Sequence, residues 1–324
     1  VDALTSLLDG PRARGAFLMR TVLTPPWAVE VRDEAPLTLV CATRGGAVIS
    51  RAGEETWLVA GDVAVVGGPE PYVVADDPAT EPQIAVLPGG CSVGRDGTDL
   101  CEEFDLGVRA WGADPDGPTE LLIGTYQLHR EVSGRLLRSL PPVLLLRGRD
   151  WDCPLVALLA AEIARDVPGQ EVVLDRLLDL LLISVLRAWF ARPEATAPAW
   201  FRAHGDPVVG QALRLMHDHP AHPWTVSSLA AKAGASRAAL ARRFSALVGE
   251  PPMTYLTGLR LEMAAELLRE PQATVEAVAR RVGYGSPFAL STAFKRERGV
   301  SPSEYRDQTG NAPGQSSGGP GSGR

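Results

Sequence analysis

A stretch of about thirty residues near the end of the chain occurs twice, and this duplication restricts the possible folds more than any other feature. Thr225–Tyr255 aligns with Thr274–Tyr305 when the second copy is allowed one extra residue in its turn. The identical pairs are Thr225/Thr274, Val226/Val275, Ala230/Ala279, Gly234/Gly283, Ser236/Ser286, Ala239/Ala289, Leu240/Leu290, Phe244/Phe294, Gly249/Gly299, Pro252/Pro302 and Tyr255/Tyr305. Such self-similarity points to one supersecondary unit used twice.

Each copy reads as helix, tight turn, helix. Thr225 and Thr274 are N-cap residues, and Val226, Leu229, Ala230, Ala233 and Val275, Val278, Ala279, Val282 each mark one face of a short helix. Gly234 and Gly283 suit a left-handed exit from that helix, and Ser236 and Ser286 cap the next one. Leu240 with Phe244, and Leu290 with Phe294, are spaced four apart to face the first helix. The opposite faces are polar or basic, with Arg237, Arg242 and Arg243 in the first copy and Thr292, Lys295, Arg296 and Arg298 in the second. A helix-turn-helix offers such a face to the DNA major groove. Two helical hairpins with merely wet faces are the plainer alternative, but they need not share caps and turn chemistry.

The segment Asp206–Tyr305 resembles the DNA-binding domain of the AraC/XylS transcription regulators, above all in Val278-Ala279-Arg280-Arg281-Val282-Gly283-Tyr284-Gly285-Ser286, Phe294–Gly299 and Pro302-Ser303-Glu304-Tyr305-Arg306. The resemblance implies two helix-turn-helix units bridged by a long helix, here Met253–Arg269. They would enter successive major grooves of double-stranded DNA and read two half-elements about one helical turn apart. It places the DNA contacts at Ser236, Arg237, Ala238, Arg242 and Arg243 in the first unit. In the second they fall at Ser286, Pro287, Ser291, Thr292, Lys295 and Arg296. Arg242 suits guanine O6 and N7. Thr292 is its counterpart, and Pro287 and Phe288 replace polar residues, so the second unit is expected mainly to hold phosphates through Lys295 and Arg296.

Charge agrees with this division. Residues 205–310 carry 13 basic against 10 acidic side chains, whereas residues 1–204 carry 18 against 29. Nucleic-acid contact is therefore expected in the C-terminal half alone. A length of 324 residues and 45% hydrophobic content allow two domains, each with its own core. The expected division is residues 1–190 for a sensory and dimerisation domain, 191–205 for a linker, 206–310 for the DNA-binding domain and 311–324 for a disordered Gly/Ser/Pro tail. The longest apolar run, Leu177–Leu186, contains Asp179 and is too short to span a bilayer, and no signal core precedes it. A cytoplasmic location with no membrane partner is expected. Only Lys232 and Lys295 among the 32 basic residues are lysine, a bias suggesting a high-GC bacterium with Val1 as a GTG start.

From Gly15 to about Tyr126, short apolar segments alternate with turn residues: Phe17–Leu23, Leu37–Ala42, Ala47–Ser50, Thr56–Val59, Val63–Val66, Tyr72–Ala75, Gln83–Leu87 and Leu121–Tyr126. This pattern predicts an antiparallel sandwich or small barrel. Leu58–Val66, with its Gly61-Asp62 turn, resembles a cupin element. Together with Gly124-Thr125-Tyr126-Gln127 and Ser139-Leu140-Pro141-Pro142, it makes residues 1–190 similar to the cupin-type sensory half of one AraC subfamily. The fold class is therefore α+β: an antiparallel β cupin-like barrel with a C-terminal helical pair, then an all-α domain. The pair is expected at about Pro154–Asp166 and Glu171–Ala191. The broad apolar face of the second helix either packs only on its own barrel or, as the resemblance implies, forms part of a homodimer interface.

Catalytic cupins hold metal with a His-x-His pair, a Glu and a further His. Residues 1–128 contain no histidine and His129 stands alone after the last predicted strand, so neither a metal nor another cofactor is expected, and no catalytic residue is assigned. His217, His219 and His222 lie around Asp218 but fit a solvated turn better than a metal site. Cys41 reads as a core residue, while Cys91 and Cys101 bracket a flexible loop in which Arg95 is placed to lower a thiol pKa. These two are candidate redox residues, with spare thiols in a ligand sensor as the alternative. The expected function is a DNA-binding transcription regulator answering a small-molecule effector or a redox signal, with RNA polymerase as a further partner if it activates. The alternative, an alkyl-accepting cysteine enzyme or cupin enzyme joined to a DNA-binding module, lacks the cysteine spacings and metal ligands it needs.

Overall fold

The computed structural model describes residues 17–126, 137, 140–151, 153–192, 203, 205–269 and 272–310. These fall into two compact units, one of the residues up to Arg192 and one of those from Ala203 onward. His129, the segment 193–202 and the tail 311–324 lie outside the described residues.

Among the described residues, the first unit is a β-sandwich of twelve strands: β1 (Phe17–Leu23), β2 (Ala28–Val31), β3 (Leu37–Arg44), β4 (Gly46–Arg51), β5 (Glu54–Val59), β6 (Val63–Gly67), β7 (Tyr72–Ala75), β8 (Ile84–Val86), β9 (Ser92–Gly94), β10 (Ala110–Gly112), β11 (Thr119–Tyr126) and β12 (Val143–Leu146). One sheet runs β10-β1-β11-β3-β6-β12 and the other β5-β4-β7-β2-β8-β9. The sheets face each other across a core that includes Leu23, Trp27, Val40, Ile49, Leu58, Val74 and Leu121. Most neighbours are antiparallel, as expected, but β1 pairs parallel with β10 and β2 parallel with β8. β8 and β10 are three-residue strands reached by long excursions rather than hairpins, so nothing forces the chain to reverse before it pairs.

The Gly61-Asp62 turn has a defined task. The buried Asp62 carboxylate accepts from the Val59 N–H at 3.0 Å, the Gly148 N–H at 2.9 Å and the Arg147 guanidinium at 2.8 Å. Burial alone would raise its pKa, but the hydrogen bonds from Gly148 and Val59 and the Arg147 charge outweigh that and hold it below the usual carboxylate range. The turn thus pins β12, whose Val143–Leu146 pairs with Val66–Val63.

Two helices follow, α1 (Leu155–Ile163) and α2 (Gln170–Phe190), near their expected positions. The inner face of α2 buries Leu174, Leu178, Leu181, Leu182, Val185, Leu186 and Phe190, each worth about 2 kcal/mol relative to exposure. The Gly124-Thr125-Tyr126 segment on β11 explains how α2 docks. A Cβ on Gly124 would lie 2.4 Å from Leu178 Cδ1, so glycine clears the space for that leucine. Tyr126 then donates its hydroxyl to buried Asp179 at 3.1 Å. On its other side α2 leaves Val172, Val173 and Leu180 exposed.

The second unit contains α3 (Val209–Asp218), α4 (Val226–Lys232), α5 (Arg237–Val248), α6 (Pro252–Leu267), α7 (Val275–Arg281), α8 (Pro287–Arg298) and α9 (Pro302–Gly310). The repeat is reproduced in its details. Thr225 forms a capping box with Ser228, Thr274 caps α7, and Ser236 and Ser286 accept from the Ala239 and Ala289 N–H groups. Gly234 and Gly283 take left-handed φ values of 68° and 81° between the helices of each copy. Leu240, Phe244, Leu290 and Phe294 are fully buried.

α6 belongs to both copies. Its early residue Tyr255 stands edge-on to Phe244 at 5.7 Å and bonds His217 Nε2 through its hydroxyl at 2.8 Å. Its later residues Leu261, Ala264 and Ala265 share a core with Val278, Val282, Leu290 and Phe294 of the second copy. Arg260, between these halves, donates to the carbonyls of Pro220 and His222, both at 2.7 Å. The histidine-rich turn is therefore a strut, with His219 and His222 exposed and His217 half-buried on Tyr255. The strut reaches the second copy as well: a Cβ on Gly283 would lie 2.6 Å from the Ala221 Cα and carbonyl oxygen, whereas one on Gly234 would meet nothing within 4 Å.

The two turns should consequently respond differently to one substitution. Gly234→Ala forces alanine into a left-handed conformation and should lower stability by about 1 kcal/mol. Gly283→Ala adds overpacking against the Ala221 backbone and should lower it by about 3 kcal/mol. Denaturant unfolding of the two variants measures the difference, and equal losses would remove the role given to the strut.

Candidate DNA interface and sensory pocket

In the second unit, α5 and α8 each bury one face in a core and leave the other face exposed. On α5, Arg237, Ala238, Arg242 and Arg243 are exposed. Arg243 is not free, however, because its guanidinium grips Asp206 at 2.6 Å and 2.7 Å. The other oxygen of Asp206 accepts from the Val208 and Val209 N–H groups at 3.0 Å and 2.9 Å, which ties the start of α3 to α5. Burial raises the Asp206 pKa, but these two N–H groups and Arg243 prevail and lower it. Sequence reasoning missed this pair because its members lie 37 residues apart with no local signal. On α8, Pro287, Thr292, Lys295 and Arg296 are exposed and Ser291 is half-buried. Phe288, at the second position of the helix, is 80% exposed. The hydroxyl oxygens of Ser236 and Ser286 are engaged in capping, which fixes where each helix begins. Lys232, Arg280, Arg281 and Arg298 are also exposed.

In the first unit, a cavity of about 500 Å³ opens between the two sheets. Its lining is mainly apolar and aromatic, including Phe17, Met19, Trp27, Val29, Tyr72, Trp111, Leu121 and Ile123, with no lysine, arginine or histidine among the described residues. Asp33, Glu34 and Cys101 also line it, and of these Glu34 and Cys101 are exposed. Burial raises the Asp33 pKa against the opposing hydrogen bond from the Ala35 N–H. Tyr72 is likewise pushed up by burial. The arrangement can enclose a drug-sized apolar molecule.

The cysteines separate as expected in position but not in electrostatics. Cys41 is buried, and burial pushes its thiol up to about 12. Cys91, Asp99 and Cys101 place their sulfur and carboxylate atoms within 4.8 Å of one another, the one cluster of metal-ligand type among the described residues. The Ser92 N–H, 3.4 Å from the Cys101 sulfur, favours its thiolate. Burial, Asp99 and Cys91 outweigh that bond and raise the Cys101 pKa overall. Arg95 does not lower it, because its guanidinium is taken by Glu81 at 2.7 Å. Among the described residues no helix is long and apolar enough to cross a membrane.

Comparison with known proteins accounts for both halves. Residues 2–191 match a family described as Cupin, and residues 229–308 match one described as Helix-turn-helix domain. The chain is 31% identical over 312 residues to a putative AraC-like transcription regulator of Streptomyces antibioticus, covering 94% of this chain and 98% of that protein. It is 31% identical over 321 residues to the HTH-type transcriptional regulator MtrA of Neisseria gonorrhoeae, covering 96% and 99%. Among solved structures it is similar to the DNA-binding domain of AdpA in complex with a target DNA, with 36% identity and a TM-score of 0.31 over 32% of this chain and 92% of that one. A cupin half and a duplicated helix-turn-helix half, matched along nearly their whole length by such relatives, place this chain in the family of AraC-type transcription regulators.

Proposed function

We propose that this regulator binds, through one chain, an asymmetric DNA site of two half-elements about one helical turn apart, with α5 and α8 as the two recognition helices. The observation that carries this reading is that α6 is shared by both helix-turn-helix cores, so the two outer faces are presented as one body. Arg237 and Arg242 reach base edges from α5, while Lys295 and Arg296 hold phosphates beside α8. Arg243 instead keeps the first unit together through Asp206.

The signal enters through the cupin half. The cavity takes an apolar effector, neutral or cationic, because the described residues of its lining offer carboxylates and aromatic faces but no cation. An effector acts only by differential affinity for the DNA-competent and DNA-incompetent states. No histidine of a catalytic cupin lines the pocket among the described residues, which supports a binding rather than a catalytic role. A second reading, thiol oxidation, is favoured by one observation: Cys91 and Cys101 meet where Cys101 lines the cavity. The chain works as a homodimer through the exposed stripe of α2, where Val173 and Leu180 lie two turns apart on one face.

Selection of bound sequences from a random DNA library by the full-length protein, in reducing and in mildly oxidising buffer, tests this account. One enriched two-part motif is expected, and a change of affinity between buffers would favour the thiol signal over the effector. On that motif, Arg242→Ala should weaken binding by about 1 to 3 kcal/mol and relax preference at one base. Lys295→Ala should weaken all sequences alike and flatten the salt slope by about one unit, whereas Arg243→Ala should lower the unfolding midpoint and leave that slope unchanged. Identical effects of Arg242→Ala and Lys295→Ala would contradict the assigned division. Leu180→Glu should shift the protein from dimer to monomer in sedimentation, and a persisting dimer would exclude the α2 stripe as the interface.

A further inference from the structure

The two recognition helices correspond position by position, and the correspondence shows where their chemistry differs. Arg237, Ala238 and Arg242 of α5 are matched in α8 by Pro287, Phe288 and Thr292. The first helix offers two guanidinium groups suited to guanine, whereas the second replaces both and adds an aromatic ring. Phe288 is 80% exposed, more than any other large apolar side chain described, although the opposite face of α8 buries Leu290 and Phe294 completely. Ser286 caps the helix and Pro287 occupies its first turn, so the backbone carrying this ring is fixed. Thr292 follows four residues later on the same face, and Lys295 and Arg296 lie one turn beyond.

A phenyl ring on a major-groove surface cannot exchange hydrogen bonds with base edges. The apolar group that the four natural bases present there is the C5-methyl of thymine, which alanine, the threonine methyl and phenylalanine can all contact. We propose that the second unit reads thymine by its methyl group, through Phe288 and the Thr292 methyl, so that one half-element is specified by guanine hydrogen bonds and the other by thymine methyls. This rests on the reading above that α8 enters the major groove. It assigns sequence recognition to a helix whose polar side chains would otherwise only hold phosphates.

Replacing thymine by uracil removes the methyl and keeps base pairing and the O4 acceptor. Fluorescence anisotropy of the full-length protein on its selected site should show about fourfold weaker binding for each contacted thymine replaced in the second half-element, the factor set by burying one methyl group. The same replacement in the first half-element, where Ala238 stands at the position of Phe288, should weaken binding by less than in the second. Phe288→Ala, which removes no buried contact, should bind the thymine site more weakly and lose most of the uracil penalty while keeping its salt slope. A selected site that tolerates uracil in both halves, or a Phe288→Ala protein that retains the full penalty, overturns the methyl reading and leaves the two-unit reading standing. A protein that selects no site overturns both.

Discussion

The packing of α6 against two cores at once is the constraint on which the DNA-binding half depends. A helix of this length standing between two small hairpins would normally act as a spacer of uncertain angle. Here Tyr255 closes the first core, Leu261, Ala264 and Ala265 build the second, and Arg260 clamps the turn at Pro220–His222 between them. Neither hairpin buries enough apolar surface to be stable by itself, so each is completed by the shared helix. On the proposed reading, this shared packing is what holds α5 and α8 at one separation. The Asp206–Arg243 pair adds α3 to the same body, using a cation that its sequence position alone would assign to phosphate.

The cupin half solves a different problem, holding a cavity open between two sheets while keeping the sandwich closed elsewhere. The Gly61-Asp62 turn pins β12 to one end of its sheet, and the Gly124-Thr125-Tyr126 segment seats α2 on the outer face of the same sheet through Leu178 and Asp179. With those joints made by buried polar groups, the apolar interior is free to line a pocket. The net negative charge of residues 1–204 and the described lining of the cavity, which holds Asp33 and Glu34, belong to one electrostatic pattern.

Much of this architecture can be read from the residues because the signals are local. Thr225, Ser236, Thr274 and Ser286 cap helices through hydrogen bonds spanning three residues, and Gly234 and Gly283 mark left-handed turns. The long helix expected at Met253–Arg269 runs from Pro252 to Leu267. What the residues do not announce are contacts that arise only when distant segments meet. β2, β9, β10 and β12 are three or four residues long, too short for alternation to show, and the parallel pairings of β8 and β10 depend on which strand lies beside them. Arg95 stands near two cysteines in sequence yet turns to Glu81, and Arg243 turns to Asp206. A cation's nearest partner in space, not in sequence, decides what it does.

If α6 fixes the two recognition helices as one body, the distance between the half-elements must matter as much as their sequence. The direct test is to insert about five base pairs, half a helical turn, between the two halves of the selected site and to measure affinity for the full-length protein. The account predicts a fall to the level of a site retaining only one half-element, with partial recovery excluded even when a full turn is inserted, because α6 cannot lengthen. Unchanged affinity at either spacing would mean that the two units move independently, and the shared core would not govern DNA reading.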